Sequence, residues 1–115
     1  MIDFACKQFK LDEIVKCGLG LTKADYKIMN HLMQNSKEWN TSQEISKKLK
    51  LDISTVQRSI KRLFEKDLVL RIQNNLDSGG YVFIYQIKNK KEISSLLMKT
   101  IHNWTKKVED ELLKW

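Results

Sequence analysis

Hydrophobic positions recur at helical spacing in five stretches of the chain, and two further stretches are dense in β-branched and aromatic residues. The clearest helical pattern runs through 52–66. There Ile53, Val56, Ile60, Leu63 and Phe64 form one apolar stripe. At about 100° per residue, Ser54, Arg58, Lys61, Arg62 and Glu65 fall on the opposite face, with Thr55 and Gln57 at its two edges. Asp52 stands where its carboxylate would accept the backbone N–H of Ser54 or Thr55 and cap the helix. One side of this helix suits a core. The other presents cations, with short hydroxyl side chains near the N-terminus, which are the groups a helix in the DNA major groove needs.

Earlier in the chain, Phe9, Leu11, Ile14 and Val15 predict a short amphipathic helix over Phe9–Cys17, broken by Gly18-Leu19-Gly20. Thr22 and Asp25 have capping-box spacing, and behind them Tyr26, Ile28, Met29, Leu32 and Met33 give a helix that ends near Gln34. A polar turn over 35–38 follows, and Trp39 is expected to fold back onto the core. Thr41 and Glu44 form a full capping box for the next helix, whose Ile45 and Leu49 face inward. Lys50-Leu51 is then a tight connection to the helix at Asp52, the spacing of a helix-turn-helix.

Beyond Lys66 the period changes. Leu68–Gln73 and Tyr81–Ile87 flank seven residues that include two glycines and the turn-formers Asn, Asp and Ser, which predicts a hairpin with a flexible tip. A helix-turn-helix followed by a hairpin is a winged helix, so the expected class is mainly α with a small β-hairpin wing (α+β). Arg71, Lys88 and Lys90 put cations at the base of this wing, over 69–87, whereas the tip carries only Asp77. Deep minor-groove insertion by a basic tip residue is therefore not expected.

The last stretch, 91–115, is one long helix. Ile93, Leu97, Ile101, Trp104, Val108, Leu112 and Trp115 step by 4, 4, 3, 4, 4 and 3, close to a heptad seam. At ~1.5 Å per residue it is about 37 Å long, more than the body of a small winged helix covers. Part of the seam is expected to pack on the first helix of the same chain, and the rest on a second copy, making a homodimer. The chain is read as a single domain, 1–115, with an N-terminal helix and linker over 9–20, the winged helix-turn-helix over 21–90 and the dimerisation helix over 91–115.

Composition sharpens this. The 115 residues carry 21 Lys+Arg against 14 Asp+Glu, net +7, which suits a polyanionic partner. Only three of the cations are arginine, Arg58, Arg62 and Arg71, all in the helix predicted over 52–66 and the strand after it. Arginine suits bidentate contacts, so their confinement there says more than the net charge. Cys6 and Cys17 have no metal-site spacing and are expected to be reduced residues in or near the core, although an oxidation switch remains testable. His31 and His102 add no ligand cluster, and no cofactor or metal is expected. Glu44, Glu65 and the histidines make no acid/base pair, and no phosphate loop or nucleophile elbow is present, so no enzyme is expected. Without an apolar leader or an 18-residue apolar run, the chain is read as cytoplasmic with no membrane partner. A cavity lined by Trp104, Tyr26 or Met29 for a small-molecule effector is conceivable but unsupported, since core packing accounts for these residues better.

The run Thr41-x-x-Glu44-Ile45-x-x-x-Leu49-x-Leu51-x-x-Ser54-Thr55-Val56-x-Arg58-x-Ile60-Lys61-x-Leu63-x-x-Lys66-x-Leu68-Val69 resembles the winged helix-turn-helix of MarR and TrmB-like transcriptional regulators. It is closest to the small, single-domain archaeal type. The likeness is specific over 21–87 and architectural elsewhere. It implies that helix 53–66 enters the major groove, that Ser54, Thr55, Gln57, Arg58 and Lys61 contact double-stranded DNA, and that the hairpin approaches the neighbouring groove. Where such proteins often carry glycine, this chain has Lys50 between the two helices and Asp67 after the second, and both positions are expected to need left-handed geometry. The sugar-binding domain of larger TrmB-like proteins is not represented, so no sugar ligand is carried over. Arg58 is expected to make a bidentate base contact. Lys61 and Arg62 are assigned to phosphate or a flanking base, Lys47 and Lys48 to phosphate, and Arg71 to the wing. The function expected is that of a homodimeric, sequence-specific regulator. Alternatives are a winged-helix protein-interaction adaptor and a non-specific chromatin-type DNA binder.

Overall fold

The computed structural model describes all 115 residues and divides them into two compact units, Thr22–Lys90 and Met1–Leu21 with Lys91–Trp115.

The unit Thr22–Lys90 has the winged-helix order α2 (Lys23–Gln34), α3 (Ser42–Leu49), α4 (Ile53–Glu65), β3 (Val69–Asn75) and β4 (Tyr81–Ile87). Each helix begins where a side-chain cap satisfies its unpaired N–H groups. Thr22 and Asp25 close a reciprocal box on α2, with N–H donation to Oγ1 and Oδ2 at 3.1 Å each way. Thr41 and Glu44 do the same on α3, again at 3.1 Å. Asp52 caps α4 by accepting the Ser54 backbone N–H at 3.1 Å. Lys50 and Asp67 take the left-handed geometry expected of them, at φ 54° and 61°. Ile28, Met29 and Leu32 of α2, Ile45 of α3, and Val56, Ile60 and Leu63 of α4 form the core with Leu68, Val69, Tyr85 and Ile87 of the hairpin segment.

Three features of this unit depart from expectation. Ile53 belongs to the apolar stripe by periodicity, but it lies in the first position after the cap and is exposed. β3 runs on through Asn74 and Asn75, which pair with Val82 and Tyr81, so the turn shrinks to 76–80 with Gly79 and Gly80 at positive φ. Asn40 pairs with Tyr85 as a one-residue third strand, through N–H to O bonds of 2.9 and 2.8 Å. Trp39 beside it is half-buried.

The unit Met1–Leu21 with Lys91–Trp115 holds an antiparallel hairpin, β1 (Ile2–Phe4) and β2 (Lys7–Phe9), then α1 (Leu11–Leu19) and α5 (Lys90–Leu113). The hairpin was not expected, and it takes Phe9 out of the helix assigned to it. Lys10 is extended at φ −83°, ψ 143°, so α1 starts at Leu11, two residues later than expected, and it continues through Gly18 and Leu19, where a break was expected. Gly20, at φ 65°, ends it. Gly18 lies against Leu97, and a Cβ there would collide with that side chain. Along the α5 seam the N-terminal part is buried and the C-terminal part is exposed. Ile93 is buried, Leu97 and Ile101 are half-buried, and Trp104, Val108, Leu112 and Trp115 are exposed. Cys6 and Cys17 are both free and exposed, Cys6 in the β1–β2 turn and Cys17 on α1. No helix is long and apolar enough to cross a membrane.

Candidate nucleic-acid interface

The solvent face of α4 carries Ser54, Gln57, Arg58 and Lys61, all exposed, with Thr55 half-buried at its edge. Burial of Val56, Ile60 and Leu63 fixes which face this is. No acidic residue lies in the first helical turn. The cap is the exception just before it. Asp52 accepts both the backbone N–H and the hydroxyl of Ser54. The Ser54 hydroxyl is the main cause holding the Asp52 carboxyl below the ordinary carboxylate range. Desolvation opposes this, while the N–H groups of Ser54 and Thr55 and the charge of Arg58 assist. Ser54 is thus already engaged as a donor and has acceptor capacity left for a ligand.

Lys47, on α3, is exposed. Lys48 is tied back, its Nζ 3.4 Å from Asn40 Oδ1 and 3.7 Å from Glu38 Oε2. A recess of about 230 Å³ separates the start of α3 from the wing, lined by Thr41, Ser42, Gln43, Gln57, Phe83 and Tyr85 among others. On the wing, the Arg71 guanidinium sits between two rings, 4.1 Å from the centroid of Phe64 and 4.4 Å from that of Phe83. Tyr81 packs edge-on against Phe83 at 5.3 Å. The rings hold the cation on the exposed wing without neutralising it.

Arg62 is the residue whose environment differs most from expectation. Its Nη2 and Nε donate to Asp25 Oδ1 and Oδ2 at 2.8 and 3.1 Å, and Nη2 also reaches Ser59 Oγ at 3.3 Å. Asp25 is fully buried. Burial by itself pushes its carboxyl up, but the hydrogen bonds from Arg62, Ser59 and the Thr22 backbone, with the Arg62 charge, outweigh it and hold the group below the ordinary range. The same contact raises the Arg62 guanidinium. Arg62 is therefore turned toward α2, and its expected contact with phosphate or a flanking base is not the one this geometry favours. Asp25 was legible only as a cap. Its second partner lies 37 residues away, beyond the reach of any local pattern.

Elsewhere, no group of three or more His, Cys, Asp or Glu side chains comes together. Trp104 does not fill a core. It lines an open apolar groove of about 480 Å³ with Phe9, Ile14, Cys17, Gly18 and Ile101.

Comparison with known proteins agrees with this architecture. The DnaD N-terminal domain family matches residues 9–108. A solved structure of a possible transcriptional regulator from Methanosarcina mazei Go1 is 47% identical, with 100% of this chain and 96% of that chain covered and a TM-score of 0.95. MarR from E. coli is 21% identical over 90% of this chain and 72% of its own, with a TM-score of 0.54. A MepR variant from S. aureus, bound to an oligodeoxyribonucleotide, is 14% identical over 90% of this chain and 80% of its own, with a TM-score of 0.59. The MarR likeness expected from the sequence is thus present as a shared winged-helix fold. The Methanosarcina mazei neighbour is described as a possible transcriptional regulator, and the family that matches most of the chain is the DnaD one.

Proposed function

The chain belongs to the DnaD N-terminal domain family, and from that footing we propose that it is a homodimeric, sequence-specific DNA-binding transcriptional regulator and not an enzyme. The observation that carries this is the exposed, cationic and amide-bearing face of α4, presented by a helix whose other face is locked in the core. α4 enters the major groove. Arg58 makes a bidentate contact to a base, guanine by preference, and Gln57 reaches a neighbouring base edge. Lys61 and Lys47 neutralise phosphates, Thr55 donates its hydroxyl to a phosphate near the helix N-terminus, Ser54 does so on leaving Asp52, and Lys48 joins them on leaving Glu38. Arg71, held by its two rings, brings the wing to the adjacent groove. The MepR neighbour, whose structure holds an oligodeoxyribonucleotide, supports DNA as the partner. The exposed part of the α5 seam joins two copies, so that two α4 helices meet half-sites about one helical turn, ~34 Å, apart.

The test is a pair of substitutions measured on a selected duplex and on random duplex. Arg58→Ala lowers affinity for the selected duplex by ~1–3 kcal/mol and relaxes sequence preference, whereas Lys47→Ala weakens both duplexes alike. Equal losses on both duplexes for Arg58→Ala overturn the assignment of the base contact.

A further inference from the structure

From the geometry around α2 and α4 we infer that Asp25 and Arg62 are positioning residues, which set the roll of α4 about its own axis and so determine which bases it reads. The inference rests on the DNA-binding function proposed above. Val56, Ile60 and Leu63 bury α4 against the core, but apolar contact is non-directional. A helix resting on such a stripe can roll by small amounts at little cost. A roll of about 20° moves a side-chain tip by about 2 Å on a helix ~10–12 Å across, which is more than a hydrogen bond tolerates.

The Asp25 carboxylate supplies the missing direction. It lies in the first turn of α2, fixed there by the Thr22 N–H at 3.1 Å. From that anchored point it takes two donors of one guanidinium edge, at 2.8 and 3.1 Å, and Ser59 one turn earlier on α4 closes the set. A planar fork on a planar carboxylate accepts one orientation. Arg62 is next in sequence to Lys61 and one turn beyond Arg58, so fixing Arg62 fixes the two cations of the reading face. Only the carboxylate end of this pair is buried, the Arg62 side chain being 40% exposed, so Asp25 has its charge satisfied only while Arg62 keeps this orientation. Asp25 is fully buried, so it acts on the reading face only through Arg62.

The experiment compares full-length wild type with Arg62→Met, Asp25→Asn, the double variant Asp25→Asn/Arg62→Met, and Lys61→Met as a phosphate-contact control. Each is checked for wild-type circular dichroism, and the double variant removes both charges together should Arg62→Met alone not fold. Affinity for a selected duplex and for random duplex is measured over a salt series. A phosphate contact contributes about 0.9 to the slope of log affinity against log salt, so Lys61→Met lowers that slope, while Arg62→Met and the double variant keep it. All variants of the pair, Asp25→Asn included, lose about tenfold in the ratio of selected to random affinity, the equivalent of one misplaced base contact. A slope reduced by Arg62→Met, or a ratio unchanged in the pair, overturns the inference while leaving DNA binding intact. No duplex binding by wild type overturns the proposed function, and this inference with it.

Discussion

At Lys50 the backbone is left-handed although the side chain is long and has a Cβ. That conformation costs an L-residue ~1–2 kcal/mol. Replacing it by glycine removes the strain but widens the unfolded ensemble, at a cost of about 0.4–1 kcal/mol. Lys50→Gly is therefore expected to stabilise the protein by ~0.5–1 kcal/mol in urea unfolding, and Asp67→Gly by less, because aspartate tolerates this region better. Unchanged or lower stability for Lys50→Gly would mean that the turn is held by something other than local backbone preference. The buried carboxyl of Asp25 gives a second expectation. Its folded value is depressed, so the stability it contributes is complete above the ordinary carboxylate range and is lost as pH falls through the lower folded value. Wild type should lose thermal stability on acidification through and below the ordinary carboxylate range more steeply than Asp25→Asn. Parallel curves would deny the coupling of Asp25 to folding.

At the scale of elements, what was legible in the sequence is what short-range chemistry dictates. The three caps, at Thr22, Thr41 and Asp52, are i to i+2 or i+3 contacts, and all formed where the spacing indicated. Lys50 and Asp67 were legible because a left-handed residue is a property of one backbone position. What escaped depends on distant partners. The pairing of Asn40 with Tyr85 and the capture of Arg62 by Asp25 join residues far apart in sequence, and the stacking of Arg71 between Phe64 and Phe83 depends on how the hairpin meets the end of α4. So the order of elements could be read, whereas the division of cations between reading and positioning could not. The β1–β2 hairpin escaped for another reason, since Ile2–Phe4 and Lys7–Phe9 are only three residues each and too short for any period to show. α5 carries the strongest remaining expectation. Leu112 is exposed on its seam, as are Trp104 and Val108. In the proposed dimer a buried unpaired carboxylate at this position is costly, so Leu112→Glu should yield monomers in sedimentation and, by losing the second half-site, weaken duplex binding. A dimer that survives this change, with affinity intact, would place the interface elsewhere.

For the whole molecule, the net charge of +7 and the exposed cationic face of α4 support one proposal, a duplex polyanion as partner with its sequence read from the major groove. Charge alone accounts for attraction to any nucleic acid. Only the fixed face, held by Val56, Ile60, Leu63 and the Asp25–Arg62 contact, accounts for preference. The measurement that separates the two most directly is selection of purified protein against a pool of random-sequence duplexes at two salt concentrations, followed by sequencing. The account predicts enrichment of a two-fold symmetric site whose half-sites are about one helical turn apart, with affinity falling steeply in salt. Steep salt dependence with no enriched sequence would contradict the reading role of α4 and leave a non-specific binder. Absence of binding at low salt would contradict DNA as the partner and favour a protein-interaction adaptor.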